Sequence, residues 1–250
     1  MFLDSSGKNY TINPNVIFCD KTEYILNSCY NSFALLNDLL FMSKENCLYY
    51  SIINSPSNPT KLTSFGSKIT HLISNKNFIF VVTETEIFVI DGELNKKFKY
   101  SVDNIDIVSC SDKYLVFSVK NKLFYVEICK SDIIQINSAS FEHAVMKILI
   151  QDDTIFVLTS KGTLIHIINL IDDTSRYIRL GWTERYITAS TVKDNKLIIC
   201  STNTVHIIYL NNERHDCVSV TSFVKDCLIN DGKIIVLQDK PETLNYKFTN

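Results

Sequence analysis

The chain has 250 residues, 46% of them hydrophobic, and its 25 basic and 27 acidic side chains leave a formal net charge of −2. That balance excludes a global field favouring phosphate backbones or anionic membranes, and no apolar run approaches the roughly 20 residues of a membrane-spanning helix. The start, Met1-Phe2-Leu3-Asp4-Ser5-Ser6-Gly7, lacks the charged and long apolar regions of a secretory leader, so an intracellular protein is expected.

Residues 1–31 hold strand-like pieces at Phe2-Leu3-Asp4, Tyr10-Thr11-Ile12, Val16-Ile17-Phe18-Cys19 and Tyr24-Ile25-Leu26, and read as an irregular closure segment. From residue 32 a pattern repeats. An Asx-rich turn precedes an apolar run, a polar break and a second apolar run. Asn37-Asp38 precedes Leu39 to Ser43, Asn75-Lys76-Asn77 precedes Ile79 to Thr83, and Asp112-Lys113 precedes Leu115 to Ser118. Asp152-Asp153, Asp194-Asn195 and Asn230-Asp231-Gly232 introduce the runs beginning at Ile155, Leu197 and Ile234. The run starts lie 40, 36, 40, 42 and 37 residues apart. A period near 40 made of short strands indicates a stacked or radial β array.

β-branched and aromatic residues dominate the runs, which favours strands over helices. Ile79 to Val82 and Leu197 to Cys200 are apolar at every position, the pattern of strands buried on both faces. Each repeat parses as four strands: a weaker inner one (Val145 to Ile150), the two apolar runs, and a polar outer one (Lys97 to Ser101, Arg176 to Leu180, Asp216 to Val220). The repeats fall near 32–66, 67–103, 104–141, 142–181, 182–221 and 222–250, the last without an outer strand. Residues 54–59, with two prolines, join strands within a repeat and are no domain linker.

The predicted architecture is therefore all-β: a single β-propeller over residues 1–250, of six to seven four-stranded blades, seven being favoured. It is expected to be closed by N- and C-terminal strands, because a free sheet edge invites aggregation. Phe2 to Ile12 resembles the middle hairpin of a further repeat, in phase with Leu39.

Chemistry is sparse. None of the eight cysteines forms a C-x-x-C pair, so they read as buried thiols and no metal or cofactor is expected. His166 and His206 occupy equivalent third-strand positions and read as strand residues, and His215-Asp216 reads as a solvated turn. Asp152-Asp153 falls where a turn needs it, and Asp172-Asp173 lies in a loop before an outer strand. His71 and Asp106 are the polar candidates for an axial site. Lys96, Lys97 and Lys99 read as a charged edge that discourages aggregation. With six glycines and no phosphate-loop or nucleophile-elbow motif, no catalytic constellation is visible.

One segment escapes the repeat. Residues 174–186 carry three of the four arginines, the single tryptophan and two tyrosines. Arg176, Tyr177, Arg179, Trp182, Arg185 and Tyr186 are the candidate partner-binding residues, since Arg, Trp and Tyr are enriched in interface hot spots.

The strand pattern resembles degenerate β-propellers of the WD-repeat or RCC1-like kind. The RCC1-like resemblance is carried by stretches such as Pro59 to Gly92 and Val108 to Tyr125. Neither the Gly-His nor the Trp-Asp dipeptide of WD repeats occurs. The resemblance implies a non-catalytic scaffold that binds other proteins within an intracellular complex. It implies no membrane contact, only indirect nucleic-acid contact and no small-molecule substrate. An RCC1-like regulator of a small GTPase is the first alternative. A third class is an enzyme, either a propeller hydrolase or the structural subunit of an RNA-modifying enzyme.

Overall fold

A computed structural model describes residues 2–3, 9–19, 22–128, 133–160, 164–179, 187–230, 232–238, 241–244, 246 and 248. No α-helix occurs among them, hence none long and apolar enough to cross a membrane. Their strands form seven antiparallel sheets in which chain neighbours pair, six with four strands and the last with three.

Sheet 1 is β1 (Phe2–Leu3), β2 (Asn9–Asn13), β3 (Val16–Cys19) and β4 (Thr22–Ile25). Sheet 2 is β5 (Ser32–Leu36), β6 (Leu39–Lys44), β7 (Cys47–Ile52) and β8 (Thr60–Ser64). Sheet 3 is β9 (Ile69–Ser74), β10 (Phe78–Thr83), β11 (Glu86–Asp91) and β12 (Lys96–Ser101). Sheet 4 is β13 (Ile107–Cys110), β14 (Tyr114–Val119), β15 (Lys122–Ile128) and β16 (Ile133–Ser140). Sheet 5 is β17 (Val145–Gln151), β18 (Thr154–Thr159), β19 (Leu164–Asn169) and β20 (Ser175–Arg179). Sheet 6 is β21 (Ala189–Lys193), β22 (Lys196–Cys200), β23 (Thr204–Tyr209) and β24 (His215–Ser219), and sheet 7 is β25 (Asp226–Asn230), β26 (Lys233–Leu237) and β27 (Pro241–Thr243).

The first 31 residues differ from the irregular segment expected of them. They carry a complete four-stranded meander, with Phe2 opposite Tyr10, Ile12 opposite Ile17 and Phe18 opposite Glu23. The phase expected for Phe2 to Ile12 is one strand off, because β1 and β2 are the first and second strands rather than the middle pair. Very short strands and a Pro14-Asn15 turn placed between the second and third of them disguise the repeat.

The turns explain themselves in two chemical ways. Asn37, Asp152 and Asp194 follow a first strand with φ of 54°, 51° and 51°, the left-handed region that Asn and Asp tolerate better than other side chains. Asn75 instead uses its side chain, whose Oδ1 accepts the N–H groups of Asn77 at 2.9 Å and Phe78 at 2.8 Å. Ser111 repeats that device one sheet later, its Oγ accepting from Lys113 and Tyr114.

Contacts divide the chain into two compact units, Phe2–Ser140 and Phe141–Asn250. In the first unit the opening strands adjoin, β5 beside β9 and β9 beside β13. Hydrogen bonds stitch this inner edge: Ser74 Oγ donates to the Leu35 carbonyl at 2.6 Å, Cys110 Sγ to the Ser74 carbonyl at 3.1 Å, and Asn75 Nδ2 to the Ser111 carbonyl at 3.0 Å. In the second unit β17 lies beside β21, and β21 beside β25.

The core is a series of layers between sheets. All six residues of β10 are buried. Ile79 and Val81 join a core with Phe41, Leu48 and Ile69 on one side, while Phe78, Phe80 and Val82 join Leu115 and Phe117 on the other. β22 does the same in the second unit, sending Leu197 and Ile199 towards sheet 5 and Ile198 and Cys200 towards sheet 7. Burying apolar residues on both faces of a strand is what continuous apolar runs require.

Candidate functional site

β20 is the terminal strand of sheet 5, paired to β19 along one edge. Its side chains alternate between faces. Ile178 is buried with Leu197, Ile199 and Ile208 of sheet 6, and Arg176, on the same face, reaches the same neighbour. Its Nη1 donates to Glu213 Oε1 at 2.9 Å. Ser175, Tyr177 and Arg179 take the other face, where Tyr177 lies opposite His166 and remains 64% exposed. The Phe141 ring packs against His166 at 4.9 Å, and burial lowers the pKa of that imidazole. Arg179 is exposed. Of the six candidates, Arg176, Tyr177 and Arg179 thus share one strand, while Trp182, Arg185 and Tyr186 lie outside the described residues.

Beside β20, a groove of about 370 Å3 opens between sheets 5 and 6. Phe156, Ile167 and Leu210 form its apolar surface, and Asn169, Asn195 and Asn211 contribute amides. Arg176 stands at its side. Sequence reading did not find this groove, because it depends on how one sheet sits against the next. The spacing of Arg176 and Glu213, 37 residues or about one repeat, is the signal that would have suggested their pairing.

The remaining candidates fall into structural places. His215 and Asp216 are not a turn but begin β24. His215 stacks on buried His206, with 3.0 Å between Nε2 and Nδ1; the register of β23 against β24 puts both rings on one face. Asp216 faces the other way, where Arg214 donates to it at 3.2 and 2.7 Å. His71 and Asp106 do approach one another: the Asp106 backbone bonds the imidazole, whose pKa is lowered by burial, with Asp106 pulling weakly upward. The Asp106 carboxylate accepts the Lys120 N–H at 2.5 Å, so it serves a turn. Among the described residues no three His, Cys, Asp or Glu side chains are grouped to hold a metal. The cysteines are not uniformly buried as expected: Cys200 and Cys227 are buried free thiols, Cys29 and Cys217 are exposed, and burial pushes the Cys110 thiol up to about 12. Lys96 rests over the Phe65 and Phe88 rings at 4.7 and 5.5 Å, and Lys99 pairs with Glu86 at 2.9 Å.

No family model and no curated protein matches the sequence. Solved structures do match. The chain is similar to Hsv2 of Kluyveromyces lactis, with a TM-score of 0.74 at 13% identity over 92% of this chain and 86% of that one. It is similar to the WD40 β-propeller domain of Doa1, with a TM-score of 0.71 at 14% identity over 97% and 90%. A chain of the mitotic checkpoint complex gives a TM-score of 0.67 at 10% identity over 83% and 71%. At such identities the likeness carries the fold: the chain is an all-β protein with the architecture of a WD40-like β-propeller.

Proposed function

We propose that the chain is a non-catalytic β-propeller scaffold that holds other proteins as a subunit of an intracellular complex. The observation that carries the reading is the exposure of Tyr177 between Arg176 and Arg179 on a terminal strand. A large aromatic left in water on the same strand face as the exposed Arg179 has the composition of an interface anchor rather than of a solvated edge. The segment 174–186 extends that composition with Trp182, Arg185 and Tyr186. A propeller-fold neighbour sits in a multiprotein assembly, the mitotic checkpoint complex, which supports protein partners over a small-molecule substrate. Neither membrane nor direct nucleic-acid contact belongs to this reading.

Affinity purification of the tagged full chain, with identification of what accompanies it, is the test. The Arg179→Ala, Trp182→Ala, Arg185→Ala triple variant should lose its partners while keeping the wild-type melting transition. A partner set unchanged in that variant removes the proposed surface.

A further inference from the structure

Each of the seven sheets ends in a strand that is paired along one edge only: β4, β8, β12, β16, β20, β24 and β27. The other edge of such a strand presents N–H and C=O groups to any chain that approaches, and proteins commonly blunt it with charge, proline or a bulge. Six of these strands carry charge or proline. β4 has Glu23, β8 Lys61, β12 its lysines, β20 Arg176 and Arg179, β24 Asp216, and β27 both Pro241 and Glu242. β16 has neither. Its 8 residues, Ile-Ile-Gln-Ile-Asn-Ser-Ala-Ser, include no charge, proline or glycine, and it is the longest strand among the described residues. An uncharged run that opens on β-branched residues and holds no proline is the composition that recruits further strands.

The backbone narrows the open stretch. A bulge interrupts the pairing with β15 between Ile133 and Ile136, which guards the first half of the edge. From Ile136 to Ser140 the two strands pair residue for residue, with Ile136 opposite Val126, Ser138 opposite Phe124 and Ser140 opposite Lys122. Asn137, Ser138 and Ser140 are exposed and Ala139 is half-buried. Small side chains on a regular edge leave room for a second backbone at the ordinary strand spacing.

The edges also differ in what a second copy of the chain would meet. Two identical strands pair antiparallel about a two-fold axis, so residues equally spaced from the centre lie opposite one another. On β12 and β20, where every charge has one sign, lysine would be brought toward lysine and arginine toward arginine. On β16, centred at Ser138, the pairs are Ser138 with its own copy, Asn137 with Ala139 and Ile136 with Ser140. None is charged, and serine hydroxyls facing across such a pair hydrogen-bond. We propose that β16 is the edge through which two copies of this chain pair, antiparallel, about a two-fold axis at Ser138. Sheet 4 then continues into that of the second copy, and both open edges are consumed in one closed step rather than in a growing fibre. A second copy as occupant requires nothing of the scaffold role or of β20.

Sedimentation velocity of the full chain at rising concentration is the test. One strand edge is smaller than a standard interface, so the wild type should pass from monomer to dimer as concentration rises, and no further. Ser138→Lys and Ser138→Glu each set like charges against one another at the axis and should weaken dimerisation about fivefold. Mixed in equal amounts they should restore it, because lysine then faces glutamate. Melting of each variant near the wild-type temperature separates lost pairing from lost fold. Thr60→Lys, at an exposed position of β8, should leave dimerisation unchanged. A wild type that stays monomeric at every concentration overturns the pairing. So does a dimer that survives Ser138→Lys, one that Thr60→Lys weakens equally, a mass that climbs past the dimer, or a mixture of the two Ser138 variants that stays monomeric. A monomer whose co-purifying proteins are lost in Ser138→Lys identifies a strand of another protein as the occupant and overturns the pairing of copies.

Discussion

Tyr246 donates its phenolic hydroxyl to the Asp216 carboxylate over 2.5 Å. The same carboxylate takes the Arg214 guanidinium at 2.7 Å, and the Tyr209 hydroxyl lies 3.0 Å from that of Tyr246. Tyr246 and Phe248 pack on the core shared by sheets 6 and 7. The cluster thus binds a C-terminal stretch beyond β27 to the outer strand of sheet 6. Its electrostatics agree with its geometry: the Tyr246 hydroxyl first, then Arg214, holds the Asp216 carboxyl below the usual range, while burial and Asp216 push the Tyr246 phenol up.

Tyr246→Phe should lower stability at neutral pH by about 1 kcal/mol, the loss of one hydrogen bond to a charged group partly open to water. Because the folded pKa of Asp216 lies below its unfolded value, the linked stability is present above the ordinary carboxylate pKa and is lost as pH falls through the folded value. The gap between wild type and Tyr246→Phe in urea unfolding should therefore narrow below about pH 4. A gap of constant size from neutral to strongly acid conditions would contradict the role given to this bond.

Asp152, with φ of 51°, separates a turn role from a chemical one. Asp152→Asn and Asp152→Gly should alter stability by less than about 0.5 kcal/mol, whereas Asp152→Val should cost roughly 1–2 kcal/mol because a β-branched side chain resists the left-handed region. Chemical denaturation of the three variants decides it; equal losses in all three would show that the carboxylate itself matters.

Asn75 does two jobs, accepting from the Asn77 and Phe78 N–H groups and donating to the Ser111 carbonyl of the next sheet. Asn75→Asp keeps the acceptor and deletes the donor. It should cost less than Asn75→Ala, which loses both and about 1–2 kcal/mol. Identical melting temperatures for the two variants would mean that the bonds accepted from Asn77 and Phe78 contribute nothing.

Core and edge should differ sharply. Phe80 is fully buried in the middle of β10, so Phe80→Ala should cost roughly 3–5 kcal/mol. Tyr177→Ala, on exposed β20, should change stability by no more than about 0.5 kcal/mol. A large loss of stability for Tyr177→Ala would make it a packing residue and withdraw its status as an interface anchor.

What the sequence revealed is local, and what it concealed is relational. Asx residues marked the turns because their backbone preferences act within a few residues, and the apolar runs marked β10 and β22 because burial on both faces leaves no polar position. The three-stranded last sheet followed from the missing outer run after Leu244. The meander of β1 to β4 was read as irregular because its strands have two to five residues, too few to show a period. The stacked His206 and His215 rings, the Arg176–Glu213 pair and the groove depend on register between strands or on the seating of one sheet against another. Neither is written in any single stretch of chain.

The two-sided burial of β10 has a consequence for how insertions would be tolerated. On a strand with one wet face, a one-residue slip turns polar groups inward and is rejected by desolvation. In β10 the slip would merely exchange Phe80 and Val81 between two cores, both of which accept hydrocarbon. Polarity cannot detect that error; only volume can, through a phenyl ring arriving where an isopropyl group fitted and a void left behind it. The alignment of such a strand is guarded by the sizes of its side chains, and a core made largely of interchangeable Ile, Val and Leu keeps its aromatic rings as the marks that prevent miscounting.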